Sequence, residues 1–304
     1  MNSMKYSIWI NWDINLIKEL DIFIKKEKID KWNIEFFTWL YESGYALIRY
    51  NDKYKSKKIF ENNIRLILDL GYNFNYLMNW LVPNMDKDYL LNHLNYIYNL
   101  WIRTITVSTE ELFIFINENF YWKFNIVASI LLHTKTLEQL FFLKRYNIKR
   151  VVFNNDVNKN FYLFFLLKKF CKQNNIETEL LANDLCIQDC PKKEDHYKIC
   201  WTEDETFDCP LDWNPLKEII NWTVIRPEDI IIYEKMWLDY IKIAWRIYET
   251  DDFINEIKWY LIWKYEWNFF NLIDAEQKWN RWIFLDNSKL NGLLLWKYFK
   301  YIKK

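Results

Sequence analysis

Four of the five cysteines fall within a short window: Cys186, Cys190, Cys200 and Cys209, spaced C-x3-C-x9-C-x8-C, with His196 between the second and third. Thiols crowded this closely bind a metal, pair as disulfides, or sit together unligated. The N-terminus MNSMKYSIWINWD has no basic start followed by an apolar core. A reducing, cytoplasmic compartment is therefore expected, and disulfides are disfavoured there. Zinc ribbons use paired C-x2-C knuckles, which are absent, so zinc is the second choice of metal. The looser spacing suits a [4Fe–4S] cluster, which needs four thiolates but tolerates irregular separations. His196 is placed to donate to a cluster sulfur or a substrate, or to stabilise the loop. Cys171 lies outside the window, on a helical stretch, and reads as a buried thiol.

Other chemistry is thinly supplied. A peptidase needs an activated nucleophile with a base and an oxyanion hole, or a metal-bound water. Neither G-x-S-x-G nor H-E-x-x-H occurs, and the histidines are His93, His133 and His196. His93 falls mid-helix and reads as a packing residue, whereas His133 follows a strand and is within reach of a site. Arg226 has the fork geometry to bind a carboxylate. Its alternative is an ion pair with Glu228 or Asp229, next to Pro227, which suits the first position of a helix. Lys242 and Arg246 flank the end of the last strand, a usual anion-binding corner in barrels.

These residues must be carried by a repeating unit. Short β-rich runs alternate with amphipathic helical stretches. Strands are expected at 5–10, 33–39, 73–78, 102–107, 124–128, 149–153, 177–181 and 239–243. Helices are expected at 14–26, 54–70, 86–100, 109–117, 136–146, 160–173 and near 252–267, several opened by a capping Asp, Thr or Asn. Eight strand–loop–helix units over about 250 residues predict a closed (β/α)8 barrel, with an open doubly wound sheet as the alternative. Polar residues recur at the strand ends: Asn79, Ser108, Ser129, Asn154 and Asn183. In a barrel those ends form the catalytic face, which makes Asn79 and Asn183 candidate catalytic residues beside His196. The stretch from 186 to 221 is too long for a bare loop and reads as a functional insertion after the seventh strand. The barrel is assigned to 1–270 and a C-terminal helical extension to 271–304.

Lys plus Arg and Asp plus Glu are both 41, a net charge of zero. That disfavours gripping nucleic acid mainly through phosphates, while an RNA substrate held by a local groove stays open. No apolar run is long enough to span a membrane. Glycine is abnormally scarce: 3 residues, where ordinary usage would give roughly 21. Tryptophan is abnormally common at 18. Trp101 and Trp237 stand in helix-to-strand links, where a left-handed glycine is usual, and Trp245 follows a strand end. An alternative genetic code, with UGA meaning glycine and rendered here as tryptophan, is the expectation. The other account is an AT-rich gene, but such genes are not enriched in UGG.

Two blocks carry a family resemblance. The first is Leu181-Ala-Asn-Asp-Leu-Cys186 with Cys190-Pro191 and His196-Tyr197. The second is Ile225-Arg-Pro-Glu-Asp-Ile230, then Tyr233-Glu234 and Asp239-Tyr-Ile-Lys-Ile-Ala-Trp-Arg246. Both resemble the peptidase U32 family, whose form of the second block is close to RPEDL…YE…G(I/V)DYFKIAGR. Trp237 and Trp245 replace its two glycines. A softer block is Phe74-Asn-Tyr-Leu-Met-Asn79. The resemblance runs from about residue 5 to 270 and implies a TIM-like barrel. Members carry collagenase-like peptidase names. Better understood relatives hydroxylate ubiquinone precursors or RNA bases without oxygen, with a [4Fe–4S] cluster held by four cysteines and, in some, prephenate as oxygen source. Carried over, Cys186 and Cys190 match the family's cysteine block, and Cys200 and Cys209 match by proximity. The resemblance thus implies an iron–sulfur hydroxylation enzyme. A peptidase acting on small peptides, and a non-catalytic barrel supporting a second U32-like subunit, are the alternatives.

Overall fold

The computed structural model describes residues 4–10, 13–40, 56–79, 86–184, 186–195, 222–244, 250–267, 269 and 286–290. Eight parallel strands close into a barrel in chain order. They are β1 (Lys5–Trp9), β2 (Ile34–Thr38), β3 (Asn73–Met78), β4 (Thr104–Val107), β5 (Asn125–Ala128), β6 (Arg150–Val152), β7 (Glu177–Leu181) and β8 (Tyr240–Ile243). Pairing of Lys5 with Tyr240 and Ile8 with Ile243 completes the ring. The expected (β/α)8 fold is therefore the one adopted, and the open sheet is not.

The helices are α1 (Ile14–Lys26), α2 (Lys57–Asp69), α3 (Lys87–Asn99), α4 (Glu110–Asn119), α5 (Leu137–Lys144), α6 (Phe161–Gln173), α7 (Ile230–Lys235) and α8 (Thr250–Ile262). Their starts follow the capping residues. Asp86 accepts from Asp88 and Tyr89 N–H, both at 3.0 Å. Asn160 accepts from Leu163 N–H at 3.1 Å, and Thr136 forms a reciprocal capping box with Gln139. Each satisfies amide donors that the first helical turn leaves without partners. Among the described residues, no helix is long and apolar enough to cross a membrane. The proposed C-terminal extension lies mostly outside the described residues. Its described part, a short 3-10 turn at Asn287–Leu290, buries Asn287 and Leu290.

A barrel interior is usually filled by branched aliphatic side chains, but here one stratum is charged. Arg150 bonds Glu35 twice, at 2.8 and 3.0 Å, and Glu179 at 3.0 Å. Asn75 donates to Glu35 at 3.2 Å, and the Thr106 hydroxyl donates to Asn75 at 2.9 Å. Burial works against the Arg150 charge, yet Glu35 and Glu179 outweigh it and push its pKa up. Lys242 lies 3.9 Å from Glu179 and 4.1 Å from the centre of the Phe37 ring. Burial, only partly offset by Glu179 and Glu35, pulls its amine below the usual lysine range. Two carboxylates and two cations leave this stratum neutral, as a buried ionic cluster requires.

The helix-to-strand links share one backbone conformation. Lys28, Gly71, Trp101, Asn147, Asn175 and Trp237 all have positive φ in those links. In four of them the next residue's N–H reaches back to close the helix: Ile29 to Ile24, Tyr72 to Ile67, Ile176 to Cys171 and Leu238 to Tyr233, at 2.9–3.1 Å. This is the Schellman closure, in which a left-handed residue follows the cap. Trp263 repeats it after α8, with Lys264 N–H bonding the Trp259 carbonyl at 3.1 Å. Trp122 occupies a positive-φ turn between α4 and β5, spanned by a 2.9 Å bond from Lys123 to Phe120.

Candidate functional site

The connections after β5, β6 and β7 line a cavity of about 250 Å³ whose walls include His133, Asn154, Asp156, Cys190 and Lys193. His133 follows β5 through a single 3-10 turn and takes a left-handed conformation at φ 49. Asn154 lies two residues past the end of β6, and Cys190 and Lys193 arrive from the segment after β7. Three successive connections at the C-terminal end of the barrel therefore build one wall.

Asn154 organises this wall. Its Oδ1 accepts from the Asp156 N–H at 2.8 Å and from Lys193 at 3.5 Å. The amide Nδ2 is thereby turned toward His133 Nδ1, 3.2 Å away. An amide can only donate there, so Nδ1 is the acceptor and the proton sits on Nε2. Burial lowers the His133 pKa, with Glu194 acting the other way, which keeps the ring neutral. Asp156 pairs with Lys193 and, at 3.0 Å, with Lys135, and it accepts from the Asp189 N–H at 2.8 Å. Burial alone would raise its carboxyl, but Lys193, Asp189 and Lys135 together hold it below the usual range.

The cysteine segment is tied to the barrel by main-chain bonds. The Cys186 carbonyl accepts from the Thr223 N–H at 2.8 Å and from the Thr223 hydroxyl at 3.2 Å. Ile187 and Trp222 form an antiparallel bridge. Asn158 donates to the Leu181 and Thr223 carbonyls, each at 2.8 Å. Cys186 and Cys190 are free thiols. Burial, then the neighbouring Asp184 charge, raises the Cys186 thiol far above its ordinary pKa, with Cys190 adding to the same direction. Such a thiol stays protonated unless a cation displaces its proton. Cys200, Cys209, His196 and Arg246 lie outside the described residues. Among the described residues, no three His, Cys, Asp or Glu side chains cluster as metal ligands.

The remaining candidates are distributed unevenly. Asn79 is buried at the end of β3, and among the described residues its Oδ1 has no hydrogen-bond partner. Asn183 bonds both main-chain groups of Ala244, at 2.7 and 2.9 Å, and Glu256 at 3.0 Å, which clamps the end of β7 to the end of β8. Arg226 is fully buried and bidentate to Asp229 at 2.7 and 2.8 Å, and it donates to the Asn287 carbonyl at 3.1 Å. It takes the ion-pair alternative. Lys242 belongs to the charged stratum inside the barrel. His93 packs against Tyr76, 3.0 Å from its hydroxyl, and burial pushes its pKa down to about 4. Cys171 is buried, its thiol pushed up to about 12. Lys135, Asp156 and Lys193 were not anticipated. The run Cys190-Pro-Lys-Lys-Glu-Asp195 held a signal, since two lysines next to a candidate ligand are placed to reach the strand ends.

A parallel eight-stranded barrel with its polar cavity at the strands' C-terminal end defines the class: a TIM-like (β/α)8 protein. No family profile matches the chain. An uncharacterized protease of Methanocaldococcus jannaschii is 20% identical over 223 residues, covering 68% of this chain and 65% of that protein. The chain thus spans just under two thirds of the relative it matches. The solved structure of the U32 peptidase Mk0906 superposes with a TM-score of 0.55 at 14% identity, over 81% of this chain and 94% of the other. That likeness shows the fold.

Proposed function

We propose that this chain is a U32-type barrel enzyme in which Cys186, Cys190, Cys200 and Cys209 hold a [4Fe–4S] cluster that supports oxygen-independent hydroxylation of a quinone precursor or an RNA base. The observation that carries the reading is the Cys190-walled cavity at the catalytic end of the barrel. The donor chemistry fits in part: two free thiols share one loop pinned to the barrel, while burial and the Asp184 charge raise the Cys186 thiol, whose proton a bound metal would have to displace. A bound cluster would supply one-electron redox chemistry. The chain's own groups would hold and orient the substrate. His133 carries an N–H on Nε2, fixed by Asn154, and Lys193 and Lys135 flank Asp156 as cationic groups beside the cavity. A small anion such as prephenate is the proposed co-substrate.

The protease and the U32 peptidase that the chain is similar to support a second reading, a peptidase, and one set of experiments separates the two. Anaerobic reconstitution with iron and sulfide should give the thiolate-to-iron absorbance band, lost in Cys186→Ser and Cys190→Ser. RNA and quinones from a deletion strain should lack a hydroxylated species by mass spectrometry. Peptide hydrolysis that persists in the Cys→Ser variants, with no absorbance band, would replace the hydroxylation reading with the peptidase one.

A further inference from the structure

Tryptophan is concentrated at the backbone positions that suit it least. Nine described non-glycine residues have φ between 49 and 66, and four of them are Trp101, Trp122, Trp237 and Trp263. Three others are Asn147, Asn175 and Asp189, the residue types that tolerate this region through short polar side chains. A bulky aromatic there is an outlier. One such residue is a local accident, but four in one chain require a common cause.

The repeat supplies its own control. Gly71 closes α2 in the same way that Trp237 closes α7. Gly71 has φ 84, with the following Tyr72 N–H bonded to Ile67 at 3.1 Å; Trp237 has φ 60, with Leu238 bonded to Tyr233 at 3.0 Å. Equivalent turns of equivalent units thus hold glycine in one case and tryptophan in the other. Trp101, Trp122 and Trp237 are 74, 67 and 55% exposed, so the core does not require them. Their rings lie beside the basic groups of Arg103, Lys149 and Lys172, at 5.1–5.4 Å. Trp263 is half-buried and its indole N–H meets the Tyr6 hydroxyl. Trp222 shows the opposite character. It is fully buried and stacked on Phe269 at 6.0 Å.

We infer that the natural protein carries glycine at positions 101, 122, 237 and 263 and tryptophan at 222, the four turn codons being UGA read as glycine. The chain then has two populations of tryptophan, one native to the core and one standing in glycine turns. This accounts for the four outlying φ values and for part of the glycine deficit and the tryptophan excess with one cause.

Peptide mass spectrometry of the protein isolated from its own cells decides the matter position by position. Glycine is expected at 101, 122, 237 and 263, with tryptophan at 222. Tryptophan in the four turn peptides, or UGG at the four codons, would overturn the inference. A recombinant comparison gives an independent readout. The chain with Trp101→Gly, Trp122→Gly, Trp237→Gly and Trp263→Gly should melt at a higher temperature than the tryptophan form and self-associate less. A lower melting temperature would mean that the turns are built around indoles, and would count against the inference even if the chain still folds.

Discussion

The two ends of the barrel use the same unusual backbone for different purposes. At the N-terminal end, left-handed residues close helices, and Lys28, Gly71, Asn175 and Trp237 fill equivalent, solvent-exposed turns. At the C-terminal end, His133 and Asp189 are left-handed too, but His133 lines the cavity and Asp189 bonds a residue that does. His133 presents a ring whose tautomer Asn154 fixes, and Asp189 turns its N–H onto Asp156. A positive φ at the first end is a turn requirement that glycine meets at no steric cost. At the second it orients chemistry, and strain of this kind is retained where a site needs it. The conformation alone is not diagnostic; the destination of the side chain is.

The largest expected effect tests whether the indoles of the two ends differ as described. Trp222 packs under the cysteine segment, fully buried against Phe269. Trp222→Ala should lose about 3–5 kcal/mol in denaturant unfolding, the range for truncating a buried large aromatic. It should also loosen the Cys186–Thr223 connection, read as faster amide exchange of Thr223. A loss below about 1 kcal/mol would place Trp222 with the turn tryptophans and dissolve the distinction.

Legibility in the sequence divides along the same line. Periodicity and caps located the units well: 14–26, 73–78 and 177–181 coincide with α1, β3 and β7, because strand and helix signals are local. The wall of the cavity was less legible because its partners are distant in sequence. Lys193 reaches Asp156 across 37 residues, and Arg150 reaches Glu35 across 115. Nothing near Arg150 indicates that it points into the barrel, since either face of a three-residue strand is open to it. Arg226 was legible only as a choice between two partners. Its neighbour Asp229, three residues on, takes the Nε–Nη2 edge of the guanidinium, and the Asn287 carbonyl accepts from Nη1.

A second expected effect comes from Lys159, which lies between β6 and α6 at the cavity end. It is buried, its Nζ has no hydrogen-bond partner among the described residues, and burial, offset in part by Asp229, pushes its pKa down to about 7. Between pH 7 and its ordinary value near 10.5 the unfolded chain binds a proton that the folded chain does not. Stability must therefore rise with pH across that window. Below pH 7 both states are protonated and the penalty is at its full size. Lys159→Met should stabilise the protein by about 1–4 kcal/mol at neutral pH, as replacement of a buried charge often does. The gain should shrink toward pH 10 in urea titrations. A gain that does not vary with pH would mean that packing, not the ammonium, is responsible.

Trp237→Gly should be a smaller gain, about 1 kcal/mol, from release of a side chain held in the left-handed region. Lys28→Gly belongs beside it, because Lys28 closes α1 with the same geometry at φ 55. Equal gains at both would assign the effect to the backbone position. A gain at Trp237 alone would assign it to the indole, and a loss at Trp237 would make that ring part of the native packing. Chemical denaturation of the two single variants separates these outcomes.

The smallest effect runs in the reverse direction and calibrates the others. A Cβ built on Gly71 meets no atom within 4 Å, although φ there is 84. Gly71→Ala therefore adds no clash, and any loss of stability is the strain of placing an L side chain at positive φ. About 1 kcal/mol is expected, matching in size and opposing in sign the Trp237→Gly change. If Gly71→Ala is neutral, the helix-to-strand turns exert no selection for glycine, and the gain at Trp237 would need a different cause. If the two changes mirror one another, the turns at the N-terminal end are interchangeable in energy as well as in shape. The left-handed histidine at the other end then stands apart: His133→Gly would relieve the same backbone strain, yet it would remove the ring that Asn154 orients into the cavity.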